Sequence, residues 1–262
     1  MHVTAPYQTW GSPEAPTTLF FQDESGFLIR FPGVAEFLIT HAGEVQCRPS
    51  PGAEGWRAIL EQQVQPLLLS LRGEQVFHGG AVAAGDQAVA FLAPSGQGKS
   101  TLTAAFARRG MPFLSDDCLH LELGGPQAYV RPHVPYLRLW EDSAEVLGDG
   151  EAAYVAGSPK PRLMAGDGLP YHATELPLAR IYLLGPGDAE SPVIEPVSAS
   201  QALMGLTANA FVLDIKNPEV LRRNLQAHAR LVREIAIRRL DYPRRYDVLD
   251  SVVDAVLADL AG

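Results

Sequence analysis

Residues 88–117 read AVAFLAPSGQGKSTLTAAFARRGMPFLSDD. An apolar run, Ala88 to Leu92, enters a Pro94-Ser95-Gly96 break, and a breaker-free stretch from Lys99 to Arg109 leaves it with Leu102, Ala105 and Phe106 along one face. Gly110 closes that helix as a C-cap glycine, and Pro112-Phe113-Leu114 opens a second short strand that runs into Asp116-Asp117. A strand, a loop, a helix and a strand in this order predict an α/β core.

Within the stretch, Ala93–Ser100 matches the phosphate-loop pattern G-x-x-x-x-G-K-[ST] at every fixed place but the first, where alanine replaces glycine. Gly96 and Gly98 let the backbone turn so that successive N–H groups face one point, and the opening of the helix adds its positive end. Ser95, Gly96, Gln97, Gly98, Lys99, Ser100 and Thr101 are therefore the expected nucleotide-binding residues. Lys99 is expected to reach the β- and γ-phosphates and Ser100 to offer its hydroxyl to Mg²⁺, which makes ATP and Mg²⁺ the expected cofactors. Asp116 and Asp117 can supply a metal-binding acid and a base for an acceptor hydroxyl. Side chains alternate along a strand, so the two are expected to face different ways and do different work. His78, at the start of the strand leading toward the loop, can orient a carboxylate or tune its proton affinity.

The rest of the chain bounds this reading. It has 262 residues, 47% hydrophobic and 19% charged, enough for one core with a small addition. A net charge of −9 argues against nucleic acid as a partner. Cys47 and Cys118 are far apart, with neither disulfide-framework nor zinc spacing, which fits a reducing compartment. MHVTAPYQTWGSPEAP lacks a basic start and an apolar core, and no stretch has membrane-span length, so a cytoplasmic protein without membrane contact is expected.

Residues 1–73 read as a small β-rich module with a linking helix, Thr17–Phe21 and Phe27–Phe31 being its first strands and Pro66 bending or splitting its helix. Residues 74–262 read as the catalytic domain. In it, Gln75–Ala83 and Gln87–Leu92 form a hairpin, Gly148–Pro177 a long breaker-rich loop, and Ser200–Ala210, Pro218–Arg239 and Tyr246–Leu260 helices.

The order His78-Gly79, Ser95–Ser100, Arg109-Gly110, Asp116-Asp117 resembles HPr kinase/phosphorylase, a bacterial serine kinase whose fold is related to phosphoenolpyruvate carboxykinase. The resemblance covers roughly Gln75 to Asp117. It implies that His78 is the catalytic histidine, Lys99 the catalytic lysine, Ser100 a Mg²⁺ ligand and Asp117 the acceptor of the substrate serine's proton. Asp116 would lie beside metal and base. Past residue 123 the match fades: Glu141 or Asp142 stands near the place of a second Mg²⁺ ligand, and Lys160, Arg162 and Arg180 are candidates for a phosphate-clamping cation. The chain looks closer to the smaller HPr-kinase-like proteins, some of which phosphorylate a serine of a lasso-peptide precursor. That implies a peptide or small-protein partner and leaves a homo-oligomer open. A nucleotide-dependent binding module and a small-metabolite kinase are the competing readings.

Overall fold

A computed structural model describes residues 5–12, 14–125, 127–147, 152–153, 160–166 and 168–262. The chain opens with an antiparallel meander of β1 (Gln8–Gly11), β2 (Pro16–Asp23), β3 (Gly26–Phe31), β4 (Ala35–Thr40) and β5 (Val45–Pro49). Its inner side carries Phe20, Phe27, Ile29 and Phe37, which pack on Val64, Leu67 and Leu68 of the following helical stretch. That stretch is split, as Pro66 led us to expect, into α1 (Trp56–Ile59), a π-helical turn (Leu60–Val64) and α2 (Gln65–Leu71). Leu213, far along the chain, also joins this cluster.

Next come β6 (Gln75–Phe77), β7 (Gly79–Ala84), β8 (Gln87–Leu92), α3 (Lys99–Arg108), β9 (Phe113–Ser115), β10 (Leu119–Glu122), β11 (Tyr129–Arg131), β12 (Tyr136–Arg138) and α4 (Glu141–Leu147). They are followed by β13 (Ala152–Ala153), β14 (Arg162–Met164), β15 (Leu176–Leu184), β16 (Val193–Pro196), α5 (Ala199–Asn209), α6 (Pro218–Glu234), β17 (Ala236–Asp241) and α7 (Leu249–Ala261). Among the described residues, nine strands form one mixed sheet and β12, β14 and β13 a small separate one. The result is a mixed α/β fold.

Strand β8 lies inside the large sheet, parallel to β15 and antiparallel to β7. Val89 and Phe91 face α3 and α7, meeting Leu102, Phe106 and Val253, while Ala90 and Leu92 face the opposite layer, with Leu206 of α5 and Leu231 of α6. Burial on both faces is why this strand reads as an unbroken apolar run rather than an alternation. No helix of the described residues is long and apolar enough to cross a membrane.

Three expectations are corrected. The hairpin arm Gln75–Ala83 is two strands, since His78 interrupts it: β6 pairs with β10 and only β7 pairs with β8. The helix expected to reach Arg239 stops at Glu234, and Ala236–Asp241 becomes a strand because it fills a parallel slot beside β15. Tertiary pairing there overrides helical continuity. Within the breaker-rich stretch 148–177, β14 pairs with β12; residues 148–151, 154–159 and 167 lie outside the described residues.

The close approach of β7 and β8 needs a glycine. A Cβ added at Gly79 would sit 2.5 Å from Leu92 Cδ2 and 2.9 Å from the Phe91 carbonyl oxygen. Gly79→Ala should lower stability by about 1–3 kcal/mol, read as a shifted urea midpoint with an unchanged slope.

Candidate functional site

Strand direction gathers the site. β7 runs antiparallel to both β8 and β9, so those two run the same way, and β15 and β17 are parallel to β8. The carboxyl ends of four strands and the amino end of β7 therefore share one edge of the sheet, the usual place for a ligand in a fold of this kind. That edge carries His78, the loop 93–98, Asp116-Asp117 and the segment 242–246.

In the loop, Gly96 and Gly98 both have φ of +83°. Gly98 is the N-cap of α3 and offers no side chain, and the amides of Gly98, Lys99, Ser100 and Thr101 have no acceptor among the described residues. Uncapped donors at a helix start form a cradle for an anion. Lys99 folds back over the loop, its ammonium donating to the carbonyls of Ala93 at 2.8 Å and Pro94 at 3.0 Å. Burial pulls its pKa down to about 8, against the opposing pull of the Asp117 and Asp116 charges.

The two aspartates follow β9 in a turn. Asp116 is buried, accepting the Ser100 hydroxyl at 2.8 Å and the Arg138 backbone N–H at 2.9 Å. Asp117 has φ of +62°, the one positive value for a non-glycine among the described residues. Aspartate tolerates this left-handed conformation better than most residues do. Its Oδ1 lies 3.4 Å from His78 Nε2, and its Oδ2 accepts from the Arg138 guanidinium at 3.3 Å. His78 is placed by its backbone N–H, which donates to the Asn209 carbonyl at 2.7 Å. The aspartates do face different ways, but the cause is this left-handed turn past the strand end, not the pleat.

Their environments push them apart. Burial, then the Asp117 charge, raise Asp116 to about 6, with the Arg138 and Ser100 hydrogen bonds opposing. Burial also acts to raise Asp117, but the His78 hydrogen bond and the charges of Lys160, His78 and Arg138 outweigh it and hold this carboxyl well below the ordinary range. Asp117 is thus the first of the pair to ionise, and Asp116 keeps its proton until the pH reaches about 6.

A cavity of about 290 Å³ opens over these groups. Of the residues singled out by sequence, His78, Ser95, Gly96, Gly98, Lys99, Ser100, Thr101 and Asp117 line it, as do Asp142 and Lys160. Gln97, Asp116 and Glu141 do not; Asp116 stands behind Ser100. Arg162 and Arg180 are corrected as phosphate-clamp candidates. Arg162 pairs with Glu61 at 3.0 Å, and Arg180 pairs with Asp259 beneath α7, neither on the cavity wall.

Sequence reasoning missed Arg138, Trp140, Ser143, Tyr242, Arg244 and Tyr246, all on the wall. Arg244 lies against the glycine loop, its Cδ 3.6 Å from the point a Gly98 Cβ would occupy. Thr101, Ser143 and Tyr246 link their hydroxyls at 3.2 Å and 3.0 Å, tying the first turn of α3 to α4 and the C-terminal segment. The cluster Tyr242-Pro243-Arg244-Arg245-Tyr246 was visible as composition, but only the placement of β17 brings it here.

The donors suit a polyphosphate with a hard cation. The open amides and Lys99 fit phosphate oxygens. Ser100 Oγ and Asp116 are oxygen donors, and no cluster of three or more His, Cys, Asp or Glu able to hold a metal occurs among the described residues. Mg²⁺ needs no such cage, since it keeps waters and takes substrate oxygens.

No protein-family model and no curated protein matches the chain. Among solved structures it is similar to the Hpr(Ser) kinase/phosphatase from Coxiella burnetii, with 13% identity and a TM-score of 0.38 over 72% of this chain and 99% of that one.

The Asp116 shift has a sign that can be checked. A carboxyl whose folded pKa of about 6 exceeds its ordinary 3.8 favours folding most when protonated. Its contribution is complete below 3.8 and is lost as pH rises through about 6; the Asp117 contribution, of opposite sign, is lost at lower pH. Asp116→Asn should flatten the fall in melting temperature across this window.

Proposed function

We propose that the chain is an ATP-dependent kinase that transfers the γ-phosphoryl group to a serine hydroxyl of a peptide or small protein, a lasso-type precursor peptide being one candidate acceptor. One observation carries this reading. An ionised carboxylate, Asp117, is held by His78 and Arg138 on the wall of the same cavity that the uncapped start of α3 and Lys99 line. A module that only binds nucleotide has no use for an ionised carboxylate on the wall of the phosphate-binding cavity. The motif resemblance over Gln75–Asp117 supports the same assignment.

In this reading the amides of Gly98 to Thr101 and the Lys99 ammonium bind the triphosphate, and Arg244, beside Gly98, adds a fixed cation. Ser100 and Asp116 would hold Mg²⁺, which when bound neutralises charge on the phosphate oxygens. Asp117 orients the acceptor hydroxyl and takes its proton as the serine oxygen bonds to the γ-phosphorus and the bond to the β-bridging oxygen breaks, leaving ADP. His78 and Arg138 keep that carboxylate ionised and in place. Phosphoryl transfer asks mainly for positioning and charge stabilisation, and these residues supply both. Residues 1–73 would present the acceptor peptide to the catalytic domain, 74–262.

Incubation with γ-labelled ATP and serine-containing precursor peptides tests the reading, and nucleotide binding with no label transferred to any of them would overturn it. Asp117→Asn should cut transfer by on the order of 10²–10⁴-fold with little change in ATP affinity, whereas Lys99→Ala should weaken both.

Lys99 also sets a pH dependence. Only its protonated form attracts phosphate, so with a pKa near 8 in the free chain, ATP affinity measured by calorimetry should fall between pH 7 and pH 9 and do so far less in Lys99→Arg.

A further inference from the structure

The π-helical turn Leu60–Val64 splits the helix that joins the five-stranded sheet to the rest of the chain. Such turns are a local weakness in a helix and recur where a side chain has a task. Glu61 lies on this turn. Its Oε2 accepts from the Tyr136 hydroxyl at 2.6 Å and from the Arg162 guanidinium at 3.0 Å. Gln62 donates to the same hydroxyl at 3.4 Å, and the Arg162 guanidinium lies 4.2 Å over the Tyr136 ring. Burial, then the bond to Glu61, push the Tyr136 phenol up to about 12, so it remains a donor.

The two partners sit on paired strands that lead directly into the cavity. Tyr136 is on β12 and Arg162 on β14, with Leu137 opposite Leu163 and Arg138 opposite Arg162. β12 ends at Arg138, whose backbone and guanidinium hold Asp116 and Asp117 respectively. Trp140 follows it, and Lys160, just before β14, places its ammonium 5.2 Å over the Trp140 ring. One carboxylate outside the cavity therefore fastens the strand that ends at Arg138 and the strand that follows Lys160, two of the cavity's cations.

We propose that Glu61 is a positioning residue for the phosphotransfer reaction: by clamping Tyr136 of β12 and Arg162 of β14, it sets where Arg138 and Lys160 stand over Asp117. This rests on the kinase reading for its chemical consequence and on geometry alone for the clamp. The N-terminal segment is thereby part of the catalytic apparatus, although none of its described residues lines the cavity.

Trp140 reports the clamp independently of activity. The chain has three tryptophans, so Trp10→Phe with Trp56→Phe isolates its emission. In that background Glu61→Ala should shift the Trp140 emission maximum and raise its quenching by iodide, and should lower kcat for transfer on the order of 10- to 100-fold with the KM for ATP unchanged. Tyr136→Phe, which removes one oxygen, should move both readouts the same way by less. Glu61→Gln, whose amide oxygen still accepts both bonds, should restore most of the Trp140 signal and most of kcat, which a simple loss of stability would not do. Wild-type emission and kcat in both Glu61→Ala and Tyr136→Phe would overturn the proposal. If the wild-type chain transfers no phosphate to any peptide, the kinase reading falls, and the Trp140 response then decides the clamp on its own.

Discussion

Strand β7 is hydrogen-bonded to β8 on one side and β9 on the other, and both neighbours run against it. That arrangement forces the ends of β8 and β9 to emerge together, with the start of β7 between them. The glycine loop, the aspartate pair and His78 are then neighbours by backbone geometry, before any side-chain interaction is counted. Parallel β15 and β17 extend the same edge and deliver Tyr242 and Arg244 to it. The spacing between strands leaves no room for a side chain at Gly79, so the pairing that creates the edge also dictates the residue beside His78.

On that edge, electrostatics divides the labour. The chain carries a net charge of −9, yet Lys99, Arg138, Lys160, Arg244 and Arg245 all face one cavity. Against the two carboxylates on the same wall, Asp117 and Asp142, these cations leave an excess of positive charge facing the cavity, and a concave surface concentrates that field irrespective of the net charge, which suits an anionic substrate approaching an acidic protein. Two adjacent carboxyls, one buried and one on the cavity wall, resist ionising together. Partners decide which of them ionises first: Asp117 has a histidine and an arginine, whereas Asp116 has a hydroxyl and an amide.

The local chemistry was legible in the sequence because it is local. Gly96, Gly98, Lys99 and Ser100 declare themselves by spacing, and the apolar run before them and the unbroken helix after them follow from burial on both faces of β8. His78 and Asp117 could be paired through a family resemblance, and they lie 3.4 Å apart. What could not be read was anything decided by long-range pairing. The switch from α6 to β17 at Ile235 depends on an empty parallel slot beside β15, and Arg244 reaches the loop only through that strand. Arg180 and Arg162 looked like phosphate clamps because a guanidinium in sequence carries no record of its partner; Asp259 and Glu61 are 79 and 101 positions away. Arg138 stood unnoticed beside the candidate Glu141 and Asp142, three residues short of the helix they begin.

The backbone at Asp117 holds a tension between sturdiness and chemistry. A positive φ of +62° costs every residue with a β-carbon something and glycine least. Asparagine would accept the turn but not a proton, and glutamate would bring a carboxylate on a longer arm that the turn accommodates less readily. A library saturated at this codon and sorted for heat resistance alone would therefore enrich glycine and discard the functional group, whereas selection for turnover would hold the position at a single amino acid.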